Sequence, residues 1–314
     1  MSRWNISDPD RPHSSEPRVD HDQPRTESDS AGTSVGRGGS NDTSSEAIDR
    51  KERPYDLRVS RPNGLRTQHQ DRGRTYSLRS SEMDAMVDIG RFRVVDVSDL
   101  SRFAYHGDDA RLKGDLENLR RQGLIQEKTV FRAHKAARKL VTLTQQGEQI
   151  ARKASGLPEG QRIYHGFVKA KELDHDADLY KVYQKAVQEI QEKGGKPLRV
   201  RLDFELKESI NRAKVAAERL TREERAIRLE AIAEANGLTI SGRTIHLPDI
   251  QVEYETIDGG VERENLELLS QNYREDGIRG KAEAGFKMYA RNSESNRVRR
   301  ALQDTGLVQE VLSV

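Results

Sequence analysis

Apolar residues recur at helical spacing in the segment that begins at Ser81. Their spacing predicts three short amphipathic helices, which span about 81–91, 98–105 and 108–122. Ser81 and Ser98 are expected to cap the first two helices, because a serine hydroxyl can accept a hydrogen bond from a free backbone N–H there. Gly123 is expected to end the third helix in a left-handed conformation.

Two alternating segments follow the third helix, at 124–131 and 140–144, and a basic stretch over 132–139 joins them. Three helices followed by such a hairpin predict a winged helix-turn-helix domain. The third helix would enter the major groove of DNA, and the hairpin would contact phosphates. The cations on these two elements are Arg111, Lys113, Arg120, Arg121, Lys135, Arg138 and Lys139. Three acids on the same helix keep open the alternative that the domain docks another protein; they are Asp109, Asp115 and Glu117.

Helices and strands alternate beyond a predicted boundary at Gly156–Gly160. A long helix is predicted from His175 to about Lys193, and an alternating strand follows at 198–204. Two more helices precede a hairpin whose Asp258–Gly260 turn is typical of paired antiparallel strands. The elements predicted around and after that turn are strands near 244–256 and 261–270, a helix near 277–283, a strand over 286–289, a helix over 294–304 and a strand over 308–312.

Composition limits how much of the 314-residue chain can form a core, because hydrophobic residues make up 33% and charged residues 34%. The Ser-, Arg- and Gly-rich segment 1–75 is expected to be a disordered tail. The absence of cysteine excludes disulfides and thiolate zinc sites. No apolar run approaches the roughly 18 residues of a membrane span, and no apolar signal segment opens the chain. These observations favour a cytoplasmic protein without a membrane partner.

Two acids and a lysine in the second half stand in an order that suits metal-dependent phosphodiester chemistry. Asp249 lies where one predicted strand begins, Glu267 lies in the strand paired with it, and Lys281 follows on the next helix. Two strand-borne carboxylates at one cleft can bind Mg²⁺, which takes oxygen ligands and keeps several waters. The metal could activate water while the lysine orients it. Mg²⁺ is therefore expected only if the site is catalytic.

This ordered series resembles the PD-(D/E)XK nuclease superfamily and, together with the upstream winged helix, the replication-relaxation family of plasmid and mobile-element proteins. The residues that carry the resemblance are Pro248–Asp249, Glu267, Lys281, Tyr289 and His175–Asp176. The resemblance covers about 76–314 and implies an α+β or α/β class: a winged helix over 76–156, then a restriction-endonuclease-like α/β domain with a mixed sheet over 165–314. It implies an accessory role in plasmid or mobile-element replication or mobilisation, with double-stranded DNA and replication or mobilisation proteins as partners. The segments 119–125 and 143–148 also resemble bacterial winged-helix regulators.

One departure from the nuclease motif leaves several functions open. The motif places a lysine two residues after the second acid, whereas Leu269 occupies that position here. Catalysis would need Lys281, or less well Lys287, and the chain would then be a metal-dependent DNA nickase or endonuclease. Without such a lysine the scaffold has lost activity. The chain would then be an accessory factor or a winged-helix transcriptional regulator.

The remaining polar residues of interest each have two interpretations. Glu205 is either a first-turn acid favoured by the helix dipole or a further metal ligand. His175 and His246 are either substrate contacts or histidines that satisfy local hydrogen bonds. The three proposed catalytic residues also have plain alternatives. Asp249 could simply start a strand, Glu267 could be an exposed strand residue, and Lys281 could be a solvated helix residue. No phosphate-binding glycine loop, zinc-protease motif or nucleophile elbow is present, and the sequence indicates neither the DNA target nor the oligomeric state.

Overall fold

The computed structural model describes residues 65–132, 135–154, 156–170, 172–241, 244–270, 275–291 and 311–313. Most of the predicted tail, the tip of the basic hairpin and the predicted helix at 294–304 lie outside the described residues. Among the described helices, none has the length and apolar character needed to cross a membrane.

A short hairpin begins the described part of the chain, within the segment predicted to be a tail. Strands β1 (Thr67–Asp71) and β2 (Arg74–Leu78) pair antiparallel around a two-residue turn. Both turn residues have positive φ, 46° at Arg72 and 78° at Gly73, as a type I′ turn requires. The predicted tail boundary at residue 75 was wrong, because an Arg-Gly pair is a weak signal for this turn and the flanking strands are polar.

The predicted winged helix-turn-helix is confirmed over the segment that follows. Its elements are α1 (Ser80–Phe92), β3 (Val95–Asp96), α2 (Val97–Ala104), α3 (Asp109–Arg121), β4 (Ile125–Arg132), β5 (Lys135–Leu143) and α4 (Gln145–Ala151). The three strands form an antiparallel sheet in the order β3-β5-β4. The basic stretch predicted as a turn is mostly strand, since β5 already begins at Lys135.

Helix caps in this domain differ from two of the predictions. Asp96, not Ser98, caps α2, and its carboxylate accepts hydrogen bonds from the Ser98 backbone N–H at 2.9 Å and from the Ser98 hydroxyl at 2.7 Å. Ser81 lies inside α1, and its hydroxyl donates to Asp115 at 2.6 Å. Asp108 caps α3 and Gly123 follows it with φ of 72°. An acid two residues ahead of a serine competes for the same cap, so the Asp-Val-Ser sequence at 96–98 was ambiguous.

The second half contains the predicted mixed sheet. Its principal elements are α5 (Leu173–Glu192), β6 (Lys196–Leu202), α6 (Asp203–Ala216), α7 (Arg222–Ala235), β9 (Ile250–Glu255), β10 (Val261–Leu269), α8 (Glu275–Glu283), β11 (Lys287–Ala290) and β12 (Val311–Ser313). The strand order is β12-β11-β10-β9-β6. Strands β6, β9 and β10 pair antiparallel, whereas β10, β11 and β12 pair parallel. The fold class, α+β with a mixed sheet, is therefore confirmed.

The long strand predicted over 244–256 is broken in two. A two-stranded ladder of β7 (Ile240–Ser241) and β8 (Thr244–Ile245) precedes β9, and His246–Asp249 lie between β8 and β9 outside any strand. Pro248 lacks the backbone N–H that a central strand would use. The break places Asp249 immediately before the first residue of β9.

One hydrophobic cluster includes residues from both halves, from Tyr76 to Tyr289. Helix α5 supplies the shared surface, because Phe92 of α1 packs its ring against those of Tyr180 and Tyr183, with centroids 5.4 and 5.0 Å apart. Aromatic pairs at such distances are favourable beyond the area they bury. The winged helix and the mixed sheet thus both pack against α5.

Candidate functional site

Asp249, Glu267 and Lys281 meet in one hydrogen-bonded cluster. The β9–β10 register pairs Ile250 with Leu266, which brings Asp249 opposite Glu267. The Asp249 backbone N–H donates to Glu267 Oε2 at 3.2 Å, and the Leu268 backbone N–H donates to Asp249 Oδ2 at 2.9 Å. The Lys281 ammonium forms a salt bridge with Glu267 Oε1. Lys281 thus stands beside the second acid although it comes from α8.

His175 joins the same cluster from the first turn of α5. Its Nε2 lies 3.3 Å from Asp249 Oδ2, and its Nδ1 lies 3.3 Å from a carboxylate oxygen of Asp176. About a third of the His175 side chain is exposed, whereas the Asp249 side chain is 14% exposed and that of Glu267 is fully buried. Solvent therefore reaches the cluster from the His175 side.

The charges in this cluster are matched in pairs. Burial acts to raise the pKa of Asp249, but the charge and hydrogen bond of His175 outweigh it and hold that pKa at about 2. Burial acts to lower the pKa of His175, but the carboxylates of Asp249 and Asp176 hold it well above its ordinary value. His175 is therefore the cationic partner of Asp249, as Lys281 is the cationic partner of Glu267.

His246 borders this cluster. It is buried, and a Cβ placed on Gly280 of α8 would come 2.7 Å from its Cε1 atom. Burial and the charge of Lys281 lower the pKa of His246. Its Nδ1 atom has no hydrogen-bond partner among the described residues. The neutral ring fills space against α8, and the absence of a side chain at Gly280 permits that contact.

Glu205 and Lys287 do not belong to the cluster. Glu205 accepts a hydrogen bond from the Leu202 backbone N–H at 3.2 Å and lies 3.7 Å from Arg162 and 3.6 Å from Arg199. It is thus a first-turn acid of α6 that lies between two arginines. Lys287 pairs with Glu189 and, at 3.2 Å, with Glu264. The described residues contain no group of three or more Asp, Glu or His side chains arranged to hold a metal ion.

Helix α3 presents its predicted cations to solvent. Leu112, Leu116 and Leu119 are buried against the core, so the opposite face is free. The exposed cations are Arg111, Lys113, Arg120 and Arg121. Arg121 donates to the side-chain oxygen of Asn118 at 3.0 Å, which fixes one end of the row.

The acids of α3 offset the positive charge on its surface less than the sequence suggests. Asp115 is fully buried and bonds to Arg79 at 3.1 Å and to the Tyr105 hydroxyl at 3.1 Å. Asp109 accepts a hydrogen bond from the hydroxyl of Ser101. Glu117 and Asp109 remain exposed acids on this helix. The exposed face of α3 therefore carries more positive charge than its sequence alone indicates.

The three predicted cations of the hairpin have different surroundings. The Lys139 side chain is 53% exposed and pairs with Glu127 at 2.9 Å. Lys135 begins β5, and its side chain lies outside the described set. The Arg138 side chain is only 14% exposed and points inward. Its assignment to DNA contact was wrong, because strand alternation turns it away from the face that carries Lys139.

Arg138 instead forms a buried ion cluster that sequence analysis missed. Its guanidinium lies 3.0 Å from Asp178, 3.7 Å from Asp174 and 4.0 Å from Asp99, and it also bonds to Asp96. These acids come from α2, its cap and α5. The sequence signal was the spacing of each acid pair, 96 with 99 and 174 with 178, which places both members on one helix face.

Comparisons with known proteins add little to this geometry. No protein-family model matches the chain, and no curated protein matches it. Among solved structures, the chain is similar to Bacillus subtilis PadR in complex with operator DNA, at 15% identity and a TM-score of 0.21. The alignment covers 51% of this chain and 92% of that one. A TM-score this low does not identify a shared fold.

Proposed function

We propose that the chain binds double-stranded DNA through α3 and the β4–β5 hairpin. The observation that carries the proposal is the set of exposed cations Arg111, Lys113, Arg120 and Arg121 on α3, whose acid Asp115 is buried and bonded to Arg79. The major groove of DNA is about 12 Å wide and admits one α-helix. Cations along such a helix and on a neighbouring hairpin would contact phosphates and fix the orientation of the protein on the duplex.

Replacing Lys113 and Arg120 by alanine together is expected to weaken the affinity for a DNA duplex at least tenfold. Each lost phosphate contact should lower the slope of log K against log salt concentration by about 0.9. The measurement is a salt titration of duplex binding by the full chain. The matched control removes two exposed cations of the other half, Lys193 and Arg228, and should leave affinity and slope unchanged. Equal losses in both variants would rule out α3 as the binding surface.

Gly114 provides a second test of the same surface, because it lies in the middle of α3 on the exposed face and a Cβ there would meet no atom within 4 Å. Replacing it by alanine is expected to raise the free energy of unfolding by about 0.5–1 kcal/mol, since glycine is unfavourable inside a helix. Replacing it by leucine should leave stability at or above that of the unmodified chain but weaken duplex binding. Undiminished binding by the leucine variant would mean that α3 does not approach DNA closely.

A second candidate function is metal-dependent cleavage of DNA by the second half of the chain. The convergence of Asp249, Glu267 and Lys281 favours it. Two carboxylates fit a Mg²⁺ ion that keeps several waters, and such an ion would supply Lewis acidity and an activated water. Asp249 and Glu267 would hold it, and Lys281 would orient the nucleophile. Nicking of supercoiled plasmid that depends on all three side chains would establish this activity.

The resemblance to the replication-relaxation family supports a more specific proposal for the biological role. We infer that the chain acts in plasmid or mobile-element replication or mobilisation, as a DNA-binding accessory factor working with replication or mobilisation proteins. Its alternative is a winged-helix transcriptional regulator with a degenerate nuclease-like domain. Deleting the gene from its replicon separates the two: an accessory factor changes plasmid copy number or transfer frequency without changing transcription of neighbouring genes.

A further inference from the structure

Phe131, near the tip of the β4–β5 hairpin, is the most exposed of the large apolar side chains in the described part of the protein, with 81% of its surface open to solvent. Its neighbour Val130 turns the other way and packs against a cluster that includes Leu140 and Leu173. An exposed phenylalanine gains nothing from the hydrophobic effect within the folded chain. Its position is explained if it contacts a partner.

The opposite strand leaves the ring uncovered. The register pairs Val130 with Arg138 and Arg132 with Lys135, so that two residues of β5, Ala136 and Ala137, stand opposite Phe131. This irregularity is a β-bulge, which increases local twist and can redirect a side chain. Both alanines are exposed, and a single methyl group cannot cover an aromatic ring.

Strand alternation places Phe131 on the same face as Ile125, which lies in the core cluster that contains the buried leucines of α3. Phe131 is six positions beyond Ile125, a distance of about 20 Å along a strand. One helical turn of DNA is about 34 Å, so half a turn, from the major groove to the adjacent minor groove, is about 17 Å. The hairpin therefore has the length to bring Phe131 to the groove beside the one that α3 would occupy.

The charge around Phe131 indicates what kind of partner it meets. The segment from Lys128 to Lys139 contains no acidic residue. Lys128 and Lys139 are exposed on the two strands, and Lys139 also pairs with Glu127 at 2.9 Å. Arg132 and Lys135 flank the tip in sequence. An apolar ring on a hairpin rich in cations suits a polyanion that has an apolar interior, and stacked base pairs between two phosphate chains have that character.

We propose that Phe131 inserts as a wedge between base pairs in the minor groove next to α3. The inference rests on the proposed binding of double-stranded DNA and adds a deformation of the duplex to it. Apolar side chains inserted in this way partly unstack a base step and kink the duplex. The deformation would make binding sensitive to flexible pyrimidine–purine steps, even though no base edge need be read there.

The test measures DNA unwinding, which does not require a known target sequence. Closed circular plasmid would be relaxed in EDTA, by a topoisomerase that needs no divalent metal, in the presence of full-length protein. The unmodified chain and Phe131→Trp should shift the topoisomer distribution, because both keep a large ring. Phe131→Ala should abolish the shift while its duplex affinity falls less than tenfold, since the cations remain. Unchanged thermal melting would show that each variant is folded.

The outcomes separate this inference from the function on which it rests. If no variant binds duplex DNA, the proposed function fails and the wedge fails with it. If the unmodified chain binds without shifting the distribution, or Phe131→Ala shifts it equally, the wedge is wrong and DNA binding stands. Sedimentation tests the remaining alternative, in which Phe131 is a contact between two copies of the chain. In that case the unmodified chain is a dimer, Phe131→Ala is a monomer, and the topoisomer shift is the same for both.

Discussion

Replacing Arg138 by methionine is expected to lower the free energy of unfolding by about 3–5 kcal/mol, the usual cost of removing one partner from a buried ion cluster. Four carboxylates surround the guanidinium, and Asp178 is the one nearest to its Nη2 atom, at 3.0 Å. Arg291 also contacts Asp178, at 2.7 Å, and Lys181 lies 3.6 Å from Asp99. Without Arg138 these two cations face three buried acids and the partly exposed Asp174, so negative charge is left in excess.

Chemical denaturation of the full chain, followed by far-ultraviolet circular dichroism, would measure this loss. The matched control is Asp99→Asn, which removes an acid from the edge of the same cluster. Burial raises the pKa of Asp99 to about 6, so its charged form opposes folding, and the control should be as stable as the unmodified chain or more stable. An Arg138→Met variant that loses less than about 1 kcal/mol, the value of an exposed pair, would show that the cluster is hydrated.

Asp99 also determines the sign of one part of the pH dependence of the free energy of unfolding. Asp99 ionises near 3.8 in the unfolded chain and near 6 in the folded one. Its contribution therefore favours the folded state at low pH and is lost progressively as the pH rises through that interval. Asp99→Asn should remove this part of the pH dependence and leave the rest.

Arg138 also joins the two halves of the molecule. It lies on β5 of the hairpin, and two of its partners, Asp174 and Asp178, lie on the first turns of α5. His175, the partner of Asp249, lies between them in sequence. The ion cluster therefore ties β5 to the helix that carries His175.

Local signals predicted the elements of the winged helix well. The start of α3 near Asp108 and its end at the left-handed Gly123 were both predicted from a few adjacent residues, and both were correct. Alternation in the second part of β5, over 140–144, was also visible in the sequence, but residues 132–139 were predicted as a basic turn. The sequence did not show that β5 begins at Lys135, nor that Arg138 meets acids of α5 more than thirty residues later. Arg138 was therefore assigned to the surface when it lies inside.

In the carboxylate cluster, too, contacts between residues close in sequence could be predicted and a contact between distant residues could not. The pairing of Asp249 with Glu267 could be predicted because a single hairpin connects their strands. Lys281 follows within one further helix, so its arrival beside Glu267 was also within reach. The contact between His175 and Asp249 joins residues 74 positions apart, and no periodicity in the sequence specifies it. The family resemblance, and not the spacing, singled out His175–Asp176.

Under the proposed cleavage activity, Asp249→Ala and Lys281→Met should each slow nicking of supercoiled plasmid in Mg²⁺ by about 10²- to 10³-fold. This loss corresponds to about 3–4 kcal/mol of transition-state stabilisation. The assay follows conversion of supercoiled to open circular DNA by the full chain at constant pH and salt. Lys287→Ala is the matched control, because Lys287 pairs with Glu189 and Glu264 away from the cluster, and it should cleave at the unmodified rate.

Lys281→Met has a structural cost that must be separated from a catalytic one. Glu267 is fully buried, and removing its cationic partner leaves an uncompensated charge, which destabilises a fold by several kcal/mol. The double variant Glu267→Gln, Lys281→Met removes both charges and should recover stability. The double variant also lacks a proposed metal ligand and is expected to be inactive, so it reports on stability alone. A Lys281→Met variant that is still folded at the assay temperature but does not nick would assign the loss to the nucleophile. Equal nicking by every variant would indicate another nuclease in the preparation. If none of them nicks the plasmid but all still bind duplex DNA, the cluster has a structural role. It would then hold β9, β10 and α8 together in a DNA-binding accessory protein.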